Sequence, residues 1–202
     1  MRSCSRSRSA ARSHPERGAA LVEFAIAVPL LVLLMTAVID FGVNVGNRVQ
    51  VAHAAREGAR AGSVNRVGEN SSCTLDPVGT LATETRRLMC MTKERTRMDP
   101  DQVAVKVLYM GRNGKLTTDF SEATVATNPY SVVVCVAAEQ YSLTGLLGGV
   151  FNGRFHHSRA VTKTGRPADG VFVPPGEEQP LSAGGETDDW SWCTADDPVG
   201  TE

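Results

Sequence analysis

The hydrophobic pattern of the chain is dominated by a near-continuous apolar run from Ala19 to Ile39. At about 1.5 Å per residue, a helix of this length spans about 30 Å, the thickness of the hydrocarbon layer of a bilayer. The run therefore predicts a transmembrane helix over residues 19–41, in which Pro29 should either kink the helix or loosen one turn. A buried core helix is the alternative, and it is disfavoured because hardly any polar face exists between Phe24 and Ile39.

One carboxylate interrupts this apolar run. Glu23 lies in the first turn of the predicted helix. A charge inside a membrane span is costly and marks a functional site by default. The alternative is a side chain that only extends to the cytoplasmic interface, which the shallow depth of Glu23 permits.

Beyond the span, residues 42–64 are predicted to continue the helix as a stalk. Small residues recur there at every fourth position, except at Gln50, and so share one helix face. They are Gly42, Gly46, Ala54, Gly58 and Gly62. Small side chains let a second element approach closely. Two partners remain open, a neighbouring subunit and the chain's own outer domain.

Residues 65–164 are predicted to form a small outer domain, with a short helix and an antiparallel sheet. Asp76 suits the N-cap and Pro77 the first position of the helix. A half-buried strand follows, with alternate residues on one face: Val103, Val105, Val107 and Tyr109. Asn113-Gly114 predicts a hairpin turn. The fold class is therefore α+β, with a long N-terminal helix.

Two further segments of the domain are apolar enough to be strands. PYSVVVCVAAEQY predicts a second, more buried strand, and RFHHSRAVTKT predicts the last one. Between them, SLTGLLGGVFNG predicts either a short apolar helix or a loop that faces the membrane.

Charge is distributed unevenly, although the 202-residue chain has a net charge of only −1. Residues 1–18 hold five arginines and one acid, and residues 165–202 hold nine acids and one arginine. Because basic flanks remain in the cytoplasm, the leader should be cytoplasmic and the outer domain extracytoplasmic. The acidic segment 165–202, rich in Pro and Gly, predicts a mobile tail, although Trp190 and Trp192 could dock.

Processing of the leader is expected close to the start of the helix. An ordinary signal peptide is disfavoured because its apolar region is shorter and its cleavage site lies just beyond that region. Here the nearest small-x-small site, Ala52-His53-Ala54, lies over ten residues past the run. Gly18, in contrast, ends the basic leader directly before Ala19.

These residues resemble a known processing pattern. A basic leader, Gly18, an immediate apolar helix, and Glu23 at the fifth position after the glycine resemble the type IV prepilin site. Phe24 follows the glutamate, as in the tight-adherence (Flp) branch. Together with Pro29 and the segment Ala-Arg-Glu-Gly-Ala-Arg at 55–60, residues 17–62 resemble the TadE-like family of pseudopilins.

The resemblance implies a role in a tight-adherence pilus and not in catalysis. It implies cleavage by a prepilin peptidase between Gly18 and Ala19, and pairing of Glu23 with the new terminal ammonium of its own or a neighbouring chain. The implied partners are the lipid bilayer, other pilins or pseudopilins, and the pilus assembly platform. The resemblance does not say whether the protein belongs to the shaft, the tip or the assembly machine.

No motif for catalysis or cofactor binding was found in the sequence. The patterns for phosphate-binding loops, HExxH, CxxC and GxSxG are absent, and nothing predicts nucleic-acid binding. His156-His157 could ligate a metal, but adjacent strand residues point to opposite faces. We therefore expect no enzymatic activity, no cofactor and no metal. A single-pass, membrane-anchored binding module is the alternative to a pseudopilin.

The cysteines fit an exposed, oxidising location once the leader is removed. The chain has five, and Cys4 lies in the leader. The other four allow three pairings. We favour Cys73 with Cys90, which brackets the short helix, and Cys135 with Cys193, which ties the tail to the strands. A free, buried Cys135 is the alternative.

Overall fold

The computed structural model describes residues 16–64, 73, 75–111, 114–117, 131–164, 173–183 and 185–194. The helices are α1 (Glu16–Val64), α2 (Thr83–Thr96), α3 (Gly148–Phe151) and α4 (Ser191–Thr194), with a 3-10 turn at Pro100–Gln102. The strands are β1 (Val103–Met110), β2 (Leu116–Thr117), β3 (Ser131–Glu139), β4 (Phe155–Lys163), β5 (Gly176–Glu177), β6 (Ser182–Ala183) and β7 (Glu186–Thr187). The predicted α+β class with a long N-terminal helix is confirmed.

The first helix has two halves with different surroundings. α1 is 49 residues long and runs through Pro29. Its apolar side chains from Leu21 to Phe41 are largely exposed, whereas Val51, Ala55 and Ala59 are buried. The lower half therefore does not form a core with the rest of the described chain, unlike the buried helix considered above. It is long and apolar enough to cross a membrane.

The main sheet is antiparallel, with β3 between β1 and β4. β2 and β5 both pair with β1, at different positions along it. All strands of such a sheet alternate their side chains between two faces. The sheet thus separates two apolar layers.

One layer lies between the sheet and the two long helices. Val103, Val105, Val107 and Tyr109 share this face, as predicted, and pack with the stalk half of α1 and with Leu88 and Met89 of α2. The expectation of a half-buried strand is wrong, because Ala104 and Leu108 on the other face are buried too. That second layer contains Trp190 and Cys193.

The predicted start of the short helix is also wrong. α2 begins at Thr83, after Ala82 as its N-cap. Pro77 instead bridges to Glu178, and the Val78 amide donates to the Glu177 carbonyl at 3.0 Å. Pairing with a distant segment thus overrides the local helix-start residues Asp76 and Pro77.

Much of the predicted mobile tail is packed on the domain. Residues 173–183 and 185–194 include β5 on the edge of the sheet and the buried residues Val173, Glu178 and Trp190. The expectation of mobility is wrong for these residues. Their aromatic and cysteine side chains supply apolar contacts with the sheet, which the acidic composition of the segment does not indicate. The strand predicted as the last, β4, is therefore followed by three short ones.

Two turn predictions have different outcomes. β1 and β2 do form a hairpin, closed by Gly114 with a φ of +77°, but Asn113 lies outside the described residues. The SLTGLLGGVFNG segment forms a turn that leads into the four-residue helix α3.

Candidate functional site

The residues predicted to act in processing and registration lie on the exposed lower half of α1. Gly18, Ala19, Glu23 and Phe24 are all exposed, and nothing of the described chain lies within 4 Å of a side chain at Gly18. Glu23 has no ion-pair partner among the described residues. It lies one helical turn, about 6 Å, beyond Ala19. The exposed carboxylate is therefore accessible for an ion pair with a group outside the described residues.

The small-residue stripe of the stalk has two parts. Ala54 is fully buried, and a Cβ added to Gly58 would lie 2.5 Å from Thr92 Oγ1. A Cβ on Gly62 would lie 2.9 Å from Leu88 Cδ2. The upper part of the stripe therefore packs against the chain's own α2. Around Gly42 and Gly46 nothing lies within 4 Å, so the lower part has no such contact with described residues.

The Ala-Arg-Glu-Gly-Ala-Arg segment has a buried face of small residues and an exposed face of charged residues. Ala55 and Ala59 are fully buried against the sheet and α2, while the charged residues face outward. Glu57 pairs with Arg95 of α2 at 3.2 Å, and both side chains are about half exposed. The pattern thus joins the stalk to the outer domain through its small residues.

Sequence reasoning missed a polar junction at the outer end of the apolar run. Asp40 is fully buried. Its carboxylate accepts hydrogen bonds from Ser142 Oγ at 2.6 Å, from the Thr144 amide at 2.9 Å and from Thr144 Oγ1 at 2.7 Å. Both carboxylate oxygens are satisfied by donors, which is what makes a buried charge tolerable.

The next turn of α1 extends this junction. Asn44 Nδ2 donates to the Asp40 carbonyl at 3.0 Å and to the Tyr141 carbonyl at 3.2 Å. The segment between β3 and β4 is thereby fixed to the helix where its apolar run ends. The available signal in the sequence was the position of Asp40, directly after the apolar run. It was not recognised because acidic residues are common at the end of a membrane span.

The segment held by Asp40 is apolar and exposed. Leu143, Leu146 and Val150 are 60%, 59% and 49% exposed, respectively. Residues 140–153 contain no charged side chain. Large exposed apolar patches are typical of interaction surfaces, so this segment is a candidate for one.

The paired histidines of β4 face opposite sides of the sheet. His156 Nδ1 lies 3.2 Å from Gln140 Nε2, and burial together with the charges of Arg48 and His157 lowers the pKa of His156. His157 stacks on Trp192 at 4.4 Å, and its Nε2 lies 3.0 Å from Asp188 Oδ1. The two rings do not converge on one ligand position.

The aspartate beside His157 is one of the buried acids of the domain. Burial raises the pKa of Asp188, while the charge and hydrogen bond of His157 and a hydrogen bond from Trp192 act in the opposite direction. This cluster fixes the C-terminal segment to β4 on the face away from α1.

The cysteines are joined in two disulfides. Cys73 is bonded to Cys90 of α2, and Cys135 of β3 is bonded to Cys193 of α4. These are the pairings favoured from the sequence. The second bond lies in the apolar layer under Trp190 and connects the C-terminal segment to the centre of the sheet.

Comparison with known proteins places only the N-terminal part of the chain. Neither the search of curated proteins nor the search of solved structures found a match to the chain. The resemblance inferred above for residues 17–62 is confirmed by a protein-family match to nearly the same residues. The chain thus contains a segment, residues 18–60, that matches the family described as TadE-like protein.

Proposed function

We propose that this chain is a membrane-anchored minor pseudopilin that takes part in the assembly or structure of a tight-adherence pilus. The observation that carries the proposal is the division of α1. One face of its upper half is buried against its own domain, while its lower half, with Glu23, has an exposed apolar surface. Such a surface requires lipid or other apolar helices around it.

The single carboxylate on that surface supports a filament over a simple anchor. Glu23 shares one exposed face of α1 with apolar side chains at helical spacing, namely Ile26, Ala27, Leu30, Leu31 and Leu34. An anchor gains nothing from a charge there, whereas a bundle of helices gains register if the charge is paired. Cleavage after Gly18 supplies the partner, the ammonium group of Ala19 on this or a neighbouring chain.

The outer domain fits an extracytoplasmic location. Both disulfides lie on the C-terminal side of the span, and disulfides persist in oxidising compartments. The arginines of the leader lie on the other side of the span, consistent with a cytoplasmic N-terminus. The TadE-like match supports a pilus-associated role in general.

The test combines processing with assembly in cells that have an active prepilin peptidase. The mature protein should begin at Ala19 by intact mass, and Gly18→Trp should retain the leader. Glu23→Ala should be cleaved and inserted normally, yet be lost from cross-linked pilus material. Glu57→Ala, an exposed acid of the stalk, is the matched control and should assemble.

Two results would contradict the proposal. One is a membrane-bound protein that still begins at Met1 despite the active peptidase. The other is absence of the wild-type protein from cross-linked pilus material, whereas normal incorporation of Glu23→Ala would contradict only the registration role of Glu23. Together they would favour a single-pass binding module, in which α1 serves only to hold the outer domain at the membrane.

A further inference from the structure

The position of the Asp40 junction relative to the bilayer can be derived from the helix. Ala19 and Asp40 are 21 residues apart on the continuous helix α1. At about 1.5 Å per residue this is about 32 Å, close to the thickness of the hydrocarbon layer. If the span begins at Ala19, Asp40 lies at the outer boundary of that layer. Ser142 and Thr144, bonded to Asp40, lie at the same level.

Part of the backbone of the segment that follows is hydrogen-bonded within the segment itself. The Asn152 side chain accepts from the Ser142 amide at 3.0 Å. Phe151 and Asn152 donate their amides to the carbonyls of Leu147 and Gly148 at 3.1 and 2.9 Å. Backbone satisfaction of this kind is what a lipid environment demands.

The chemistry of the segment favours lipid as its partner. Ile39 and Phe41, the neighbours of Asp40 at the same end of the span, are also exposed, by 48% and 63%. Tyr141, partly buried, precedes the segment and Arg154, exposed, follows it. An aromatic ring and a basic side chain at the edges of an uncharged apolar segment are typical of the headgroup region.

We propose that residues 142–151 form a second membrane contact, in which Leu143, Leu146 and Val150 insert into the outer leaflet of the phospholipid bilayer. Asp40 holds this segment against the helix through Ser142 and Thr144. The inference rests on the membrane anchoring in the proposed function. Two attachment points, the span and this segment, fix the tilt of the outer domain above the bilayer before the protein enters any assembly.

The experiment measures lipid exposure by spin labelling of the full chain. The Cys4→Ser background leaves only disulfide-bonded native cysteines, so a thiol-specific label reacts at one added cysteine. Three variants are compared: Leu146→Cys, Leu33→Cys in the span, and Val78→Cys on the outer domain. Their parent side chains are 59%, 59% and 49% exposed, respectively.

The proteins are reconstituted into vesicles of phosphatidylethanolamine and phosphatidylglycerol, and into nanodiscs that hold one copy. Collision of each label with oxygen, which concentrates in lipid, is compared with collision with a water-soluble nickel chelate. We expect the oxygen-to-nickel ratio at position 146 to exceed that at position 78 several-fold, and to approach that at position 33. The ratio should be the same in both preparations.

Each other outcome overturns the inference in a recognisable way. A lipid-like ratio at position 33 with a water-like ratio at 146 refutes the second contact and leaves the span intact. A water-like ratio at both positions refutes the membrane anchoring as well. The label at position 146 could also be protected from both reagents in vesicles but not in one-copy nanodiscs. That result would show contact with another copy of the protein instead of lipid.

Discussion

Lys93 and Glu178 form an ion pair inside the outer domain, with 2.8 Å between Nζ and Oε1. Their side chains are only 5% and 2% exposed. The second carboxylate oxygen of Glu178 accepts the Val105 amide at 2.8 Å, and the Glu178 carbonyl accepts Trp190 Nε1 at 3.0 Å. One acid thus joins α2, β1 and the C-terminal segment.

Removing one member of this pair should destabilise the domain strongly. Glu178→Ala leaves the Lys93 ammonium buried without its partner, and we expect a loss of about 3–5 kcal/mol in the free energy of unfolding. Glu57→Ala, which breaks the exposed pair with Arg95, should cost about 0–1 kcal/mol. Denaturant unfolding followed by tryptophan fluorescence measures both. Equal losses in the two variants would contradict the role of Glu178.

The two ends of the stalk stripe should respond differently to a large side chain. Gly58→Leu must displace Thr92, whose hydroxyl donates to the Leu88 carbonyl at 2.8 Å, so we expect a loss of about 1–3 kcal/mol. Gly46→Leu enters open space and gains up to about 1 kcal/mol of helix propensity. Thermal unfolding in detergent compares the two.

Incorporation into pilus material tests the lower part of the same stripe, where thermal unfolding should show no loss of stability. If Gly46 packs against a neighbouring subunit, Gly46→Leu should be folded but poorly incorporated into pilus material. Full incorporation of Gly46→Leu would show that the lower stripe makes no subunit contact. Unchanged stability of Gly58→Leu would contradict the close approach of α1 and α2.

The parts of the fold that were predictable are those encoded locally. The long apolar run gives α1, alternating Val residues give β1, and a short continuous apolar run gives β3, because the pattern reflects which faces are buried. The start of α2 was not predictable, since Pro77 pairs with Glu178, 101 positions later. Asp40 was missed for the same reason: Ser142 and Thr144 are 102 and 104 positions away from it.

The C-terminal segment shows the limit of compositional reasoning. Its acidic, Pro- and Gly-rich sequence is typical of a solvated tail, and nothing local indicates that Glu178 and Trp190 are buried. Their burial depends on partners in α2 and β1 that only the folded sheet places nearby. The registration role proposed for Glu23 comes from the family resemblance and not from contacts in the described structure, because its proposed partner, the ammonium group of Ala19, is created by cleavage.

His156 should make the outer domain sensitive to mild acid. Its pKa is lowered in the folded state by burial and by the charges of Arg48 and His157. Between this lowered value and the unfolded value of about 6.5, the unfolded chain binds more protons. The contribution to stability is therefore present above about pH 6.5 and is lost as the pH falls through the folded pKa.

The measurement compares the melting temperature at pH 7.5 and pH 5.5 in two variants. His156→Gln should show a smaller drop than the wild type, because it removes this difference in proton binding. His53→Gln, on the exposed side of the stalk, is the control and should retain the drop of the wild type. A drop in His156→Gln as large as that of the wild type would contradict the assignment.

The two disulfides should differ in what they hold. The bonded pairs are separated by 17 and 58 residues, so the chain-entropy relation gives about 3 kcal/mol for Cys73–Cys90 and about 4 kcal/mol for Cys135–Cys193. Cys135→Ala/Cys193→Ala should also release the C-terminal segment and expose Trp190, seen as a red shift of fluorescence. Cys73→Ala/Cys90→Ala should lower stability without that shift. Peptide mapping of the non-reduced protein should find both bonds, whereas a link from Cys73 to Cys135 or Cys193, or four free thiols, would refute the pairing.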